Sequence, residues 1–376
     1  MLLSYGTNVH PAEDLSGVLD QLGRYCGPVR EALAVDRLGI GLWLAADVAT
    51  GLATDPSARA RLAAELNAHG LAVQTLNAFP YSGFHDAVVK QAVYRPDWTD
   101  PRRQQYTLDC ATVLADLLPE DSSYGSISTL PLAWRSPWTA DQDTQARRAL
   151  EATTVALSRL PRPIRLAVEP EPGCVLDTVA DAVSWLAGDV DPDVVGLCLD
   201  TCHLAVSFAD PAAAVARIQA AGLRVMKIQL SAAVHVDDPG SDAARTALAG
   251  LAEPRYLHQV RERQNSGAIL AADDLPEALA EAPAGGLPAT GPWRVHFHVP
   301  LHQALAAPLT STTDVLIDAV TAVLADPDAN PDGPPHLEVE TYTWGVLPGG
   351  GEIDLVTGIA DELRWATANV AAVAIR

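Results

Sequence analysis

Lysine is almost missing from this 376-residue chain: Lys90 and Lys227 are the only two, and every other basic residue is an arginine. Basic side chains total 25 against 47 acidic ones, a formal net charge of −22 at pH 7. Such a surface repels phosphate backbones and anionic headgroups, so nucleic acid and membrane surfaces are excluded as default partners. No run approaches the ~18 uncharged apolar residues that a membrane span needs. The opening "MLLSYGTNVHPAED" lacks the basic region and apolar run of a signal peptide. Cysteine is sparse and unpatterned: Cys26, Cys110, Cys174, Cys198 and Cys202 are odd in number, widely spread and form no C-x-x-C pair. They read as reduced thiols of a cytoplasmic protein, with oligomeric state left open. The 28 prolines and 26 glycines build no low-complexity tract. A G-x-G-x-x-G turn after an early strand is also absent, which counts against a doubly wound dinucleotide-binding sheet.

What the chain does have is a repeated alternation of short apolar runs with longer amphipathic ones, and 48% hydrophobic residues to fill a core. Strand candidates are 2–10, 38–44, 71–79, 125–132, 164–172, 194–203, 224–232, 294–301 and 336–344. Helical stretches such as "SARARLAAELNAHG" and "DPAAAVARIQAAG" lie between most of them, each closing on a glycine suited to a helix C-cap. Repeated strand–helix units predict a parallel sheet covered by helices, and about eight of them predict a (β/α)8 TIM barrel. Nine candidates are one too many, so either 224–232 or 294–301 falls outside the ring, or the barrel is irregular. Residues 232–293, rich in Ala, Asp, Pro and Gly, read as an insertion after the seventh strand, a hairpin plus a short helix. The whole of 1–376 is expected to be one domain.

Side chains alternate across a strand, so parity separates barrel interior from helix layer. In "IRLAVEPEP", Ile164, Leu166 and Val168 oppose Ala167, Glu169 and Glu171. In "GLCLDTC", Leu197 and Leu199 oppose Cys198, Asp200 and Cys202. In "VMKIQLS", Met226, Ile228 and Leu230 oppose Lys227, Gln229 and Ser231. In "VHFHVP", Val295, Phe297 and Val299 oppose His296 and His298, and in "HLEVETY", Leu337 and Val339 oppose Glu338, Glu340 and Tyr342. The polar groups fall towards the C-terminal strand ends, where barrel active sites are built. Glu169, Asp200, His298 and Glu340 make an oxygen and nitrogen ligand set for one divalent ion, Mn, Mg, Co or Zn. His203, just past Asp200, reaches the metal or a substrate oxygen. Any one of these acids alone reads as a helix cap or loop residue; the recurrence of one parity on distant strands favours a site. Glu171 is set aside because prolines flank it. Glu338 is placed a layer deeper, paired with an arginine or Lys227. Cys198 and Cys202 are packing residues, and His10, His235, His258 and His302 are loop residues. "LPGGGEID" (347–354) reads as a glycine turn after the last strand, weak support for a phosphate.

At "LAVEPEPG", "LCLDTCH", "HFHVP" and "LEVETYTW" the chain resembles the xylose isomerase-like barrel superfamily of sugar isomerases, epimerases and type IV apurinic endonucleases. The arrangement "KIQLSAA…YLHQV…DLPEAL…WRVHFHVPL…HLEVETYTW" is similar to its EboE-type metabolite traffic branch. By motif, the resemblance implies that Glu169, Asp200, His298 and Glu340 hold the metal, with His296 and Gln229 as rival third ligands, and that His203 of "D-T-x-H" faces substrate. Strands 71–79 and 125–132 carry Asn77 and Ser128 where the endonucleases place histidines, which speaks against a multi-zinc DNA-cleaving site. The function implied is a metal-dependent isomerase or epimerase of a small sugar or cyclitol, phosphorylated or not. In it the metal would polarise a carbonyl, and Glu169 and Glu340 would act as base and acid. Substrate partners would be His203, Gln229, His296, Asn8, Asn77 and Lys227. The rival readings are a non-catalytic metabolite carrier that keeps the pocket and, less well supported, a phosphodiesterase.

Overall fold

The computed structural model describes residues 2–281, 285–348 and 354–374; most of the glycine turn expected at 347–354 lies outside them. In chain order its strands are β1 (Leu3–Gly6), β2 (Leu38–Trp43), β3 (Leu71–Asn77), β4 (Gly125–Thr129), β5 (Ile164–Val168), β6 (Val195–Asp200) and β7 (Val225–Leu230). There follow β8 (Val234–Val236), β9 (Val260–Arg263), β10 (Ile269–Ala272), β11 (Trp293–Val295), β12 (Thr310–Ser311) and β13 (His336–Val339). β1 to β7 and β13 close into one ring, β13 joining β7 to β1. Every pairing around it is parallel. The fold is a (β/α)8 TIM barrel.

The strands are apolar on both faces because the ring is covered outside by helices and filled inside by side chains. "LGIGLW" of β2 is buried throughout. Between strands, polar residues start the helices: Asp55 accepts from Ser57 N and Ala58 N ahead of Pro56–Ala68, and Thr139 and Gln142 form a capping box on Ala140–Leu157. Gly70 (φ +66°) and Gly222 (φ +72°) follow the helix ends where the sequence places them, in a conformation that side chains disfavour.

The candidate 224–232 is in the ring as β7. The candidate 294–301 is not: only Trp293–Val295 is strand, antiparallel to β8 and β9. The segment between β7 and β13 is more than a hairpin. It holds a five-stranded sheet in the order β10-β9-β11-β8-β12 and helices Asp242–Ala249 and Leu275–Ala278. Strands of two to four residues in Ala- and Pro-rich sequence carry almost no period-2 signal, which hides such a sheet from the sequence. One parity assignment also fails. The β6–β7 register jumps between Leu197 and Cys198, skipping Met226. Met226 therefore packs with the inward-facing Ala167 and Cys198 rather than with the helix-facing side of β7.

Inside the ring, Lys227 Nζ lies 2.9 Å from Glu338 Oε1, both side chains fully buried, and donates to Ser128 Oγ at 3.1 Å. A Cβ on Gly41 would sit 1.3 Å from Glu338 Oε2, so only glycine leaves room for this carboxylate. No helix among the described residues is long and apolar enough to cross a membrane.

Candidate active site

At the C-terminal mouth of the ring, Glu169 follows β5, Asp200 ends β6 and Glu340 follows β13, and an oxygen of each lies within 4.8 Å of the others. Asp200 divides its carboxylate between two tasks. Oδ1 accepts from His203 N at 2.8 Å, capping the short helix Thr201–Val206, and from Ser231 Oγ at 2.9 Å. Oδ2 is buried with no hydrogen-bond partner, and so is Glu169 Oε2. Glu340 is held by Oε1, which accepts from Asn8 Nδ2 at 3.0 Å and Asn77 Nδ2 at 2.8 Å. Burial, with Glu340 and Asp200 alongside, holds the Glu169 carboxyl well above the usual carboxylate range. Burial, with Asp200 and Glu338 alongside, does the same to Glu340 despite the Asn8 hydrogen bond.

Three imidazoles meet beside the carboxylates. His203 Nδ1 is 3.0 Å from Pro170 O, His298 Nδ1 is 2.6 Å from Glu340 O, and His296 Nδ1 is 2.6 Å from Gln259 Oε1. Each of these partners is an acceptor, so in the neutral rings every Nδ1 carries the proton and every Nε2 a bare lone pair. The Nε2 atoms converge: His296 Nε2 is 3.2 Å from that of His203 and 3.3 Å from that of His298. Burial lowers His203 to about 4, and burial with its two imidazole neighbours puts His296 well below its ordinary value. His298 Nε2 also lies 4.0 Å from the unpartnered Asp200 Oδ2.

A cavity opens above this floor, lined by Asn8, Asn77, Glu169, His203, His296, His298 and Glu340 among others. Lys227 and Gln229 do not line it: Lys227 pairs with Glu338 in the barrel interior, and Gln229 accepts from Cys198 Sγ at 3.1 Å. Cys198 and Cys202 are buried, and burial raises both thiols well above their ordinary value.

The sequence model of the xylose isomerase-like TIM barrel family matches residues 39–281, about two thirds of the chain. The chain belongs to that family. No protein of curated function matches it by sequence. Among solved structures, it resembles an L-ribulose 3-epimerase with 13% identity and a TM-score of 0.53, covering 99% of this chain and 96% of that one. It resembles the IolI protein with a bound zinc atom at 13% identity and a TM-score of 0.53, over 99% of each chain. A xylose isomerase-like TIM barrel protein from Mycobacterium smegmatis in complex with magnesium gives 12% identity and a TM-score of 0.54, over 99% of this chain and 97% of that one. At such identities the likeness is one of fold.

For a member of the xylose isomerase-like family, the residues present fit a divalent ion. Two orphaned carboxylate oxygens, a third carboxylate within reach and an imidazole lone pair facing them form a donor set that is costly without a cation. Sequence reasoning missed part of the setting. Glu171, set aside for its flanking prolines, lines the cavity and accepts from Tyr94 OH at 2.7 Å and Gln259 Nε2 at 3.0 Å. Burial raises it to about 8. Gln259, immediately before β9, orients His296. Its amide orientation is fixed because Nε2 also donates to Pro172 O at 3.0 Å. Nothing in the sequence marks a glutamine beside a short inserted strand. The signal for Glu171 was parity itself, which places it with Glu169.

Proposed function

We propose that this chain is an isomerase or epimerase of a small polyhydroxylated carbonyl compound, a sugar or cyclitol, acting by proton transfer next to the carbonyl. The observation that carries the reading is the pair Glu169 and Glu340. They come from strands on different sides of the ring, face one cavity floor and keep one carboxylate oxygen each clear of protein hydrogen bonds. Glu169 removes the α-proton, leaving an enediolate, and Glu340 returns a proton to the other face of the carbon skeleton. Asn8 and Asn77 hold Glu340 in place by its Oε1. His203 and His296 hold substrate oxygens, and burial keeps them neutral so that they add no charge to the floor. Glu169, Asp200 and Glu340, with His298, would hold one divalent ion, which supplies the Lewis acidity that polarises a carbonyl. Gln229 and Lys227 are left out of the substrate set because neither lines the cavity.

The motifs that resemble the EboE-type branch support placing the chain there, and we treat 1–376 as one domain because His296 and Gln259 of the insertion complete the floor. A non-catalytic carrier is the second reading; it is favoured by Gln229, which stands on β7 where superfamily relatives often carry a histidine. The two separate in D2O. With Mn²⁺ added, the full chain should wash deuterium into the α-position of one of a panel of keto sugars and keto cyclitols, and Glu340→Gln should not. Glutamine keeps the Oε1 that Asn8 and Asn77 grip, so a folded but silent variant is expected. Incorporation undiminished in that variant, or absent from every compound with the wild type, would overturn the assignment.

A further inference from the structure

The polar floor is only one side of the cavity. Its upper wall is apolar, formed by Phe84, Val89, Val93, Tyr94, Tyr256 and Tyr342. Three of these rings pack on one another, with centroids 5.2 Å apart for Phe84 and Tyr256, 5.4 Å for Phe84 and Tyr342, and 4.9 Å for Tyr256 and Tyr342. The Tyr342 ring lies 4.7 Å from His298, so the apolar wall begins where the imidazoles end. Backbone bonds fix the rim: Val89 N and Lys90 N both donate to Arg255 O, at 2.7 and 2.9 Å, joining the loop after β3 to the insertion.

Charge points the same way. Among the described residues lining the cavity, Lys90 is the one ammonium or guanidinium group. It is already engaged, with Nζ 2.6 Å from Asp274 Oδ2 and 3.4 Å from Glu253 O. The other ionisable groups of the lining are carboxyls, imidazoles and tyrosines. A phosphoryl group would meet like charge with no free cation to hold it. A bare sugar ring would leave water against the aromatic wall, and carbon displaces such water favourably.

The geometry points to a substrate whose polyhydroxylated carbonyl head carries an unphosphorylated apolar substituent, aryl or alkyl, seated against Phe84, Val93 and Tyr256. The head rests on the proposed function; the substituent rests on the wall. Calorimetry on the full chain with Mn²⁺ compares D-fructose, its 1-O-benzyl and 1-O-hexyl ethers, and D-fructose 1-phosphate. At least one ether should bind about tenfold or more tightly than the parent, and the phosphate no more tightly. A preference for benzyl over hexyl identifies a ring as the favoured arm. Phe84→Ala, checked for folding by circular dichroism, and the milder Val93→Ser should each shrink the ether-to-parent ratio. Neither ether outbinding the parent, including no binding by any compound, overturns the inference, as does tighter binding of the phosphate. Deuterium exchange on the same compounds keeps the two ideas apart. A tightly bound ether that exchanges nothing counts against the isomerase and leaves the arm standing. Exchange on the parent with no gain for the ethers does the reverse.

Discussion

The imidazole of His298 donates Nδ1–H to the backbone oxygen of Glu340 across 2.6 Å, tying a residue of the insertion to the first residue past β13. The bond fixes the tautomer and leaves Nε2 bare, 4.0 Å from an oxygen of Asp200 that has no other partner. His298→Ala is therefore expected to weaken Mn²⁺, Co²⁺ or Zn²⁺ binding by about 10–100-fold in calorimetric titration. An unchanged affinity would move the nitrogen ligand elsewhere, with His296 next in line.

Buried carboxylates without a cation should cost stability that a cation restores. At an ion concentration about 100 times its dissociation constant, the wild type should gain about 2.7 kcal/mol, seen as a higher Tm. Asp200→Asn should lose most of that gain. The pH dependence has a definite sign. Burial, Glu340 and Asp200 raise Glu169, so below its raised pKa the site holds a proton that the ion must displace. Affinity should fall as pH is lowered, and binding should release protons, measurable in buffers of different ionisation enthalpy. Affinity that rises on acidification would sink the carboxylate site.

Lys227 and Glu338 form a fully buried ion pair beneath the floor. Lys227→Met would strand the carboxylate and should cost about 3–5 kcal/mol in urea unfolding. Lys227→Met with Glu338→Leu should recover much of that loss. Gly41→Ala should destabilise as well, since its methyl group would overlap Glu338 Oε2 at 1.3 Å.

Glu362 ties the final helix to both site loops: it accepts from Leu301 N at 3.0 Å, Thr341 Oγ1 at 2.7 Å and Trp344 Nε1 at 3.0 Å. Burial raises it from 4.5 to about 7. Below pH 4.5 the folded and unfolded chains both hold the proton. Between 4.5 and 7 the unfolded chain releases it first, so this residue's contribution to stability falls as pH rises, by about 3 kcal/mol in total. Glu362→Gln cannot ionise and should flatten that part of the curve. A wild-type-minus-variant difference that does not change between pH 4.5 and 7 would remove the assignment.

The barrel was legible because its strands are long enough to show parity, and because acids recur on the same face of β5, β6 and β13. Asp200 was legible as a helix cap, which Oδ1 provides, while Oδ2 is left without a partner, as the proposed ligand role requires. The inserted sheet was not legible, since its two- to four-residue strands bury too few side chains to leave a period. His296 and His298 were found by alternation, although they follow a strand of the inserted sheet and not one of the ring. Met226 was misplaced because a register jump reverses parity locally, and a bulge has no signature in residue type alone.

The ring contributes oxygen donors, and the inserted sheet contributes two of the three nitrogen donors, with Gln259 aiming one of them. The hard donors thus come from the ring, and most of the borderline ones from the insertion. Substitution in the insertion alone would change the nitrogen share of the proposed centre, and with it the preference between Zn²⁺ or Co²⁺ and Mg²⁺ or Mn²⁺, without altering a single residue of the barrel.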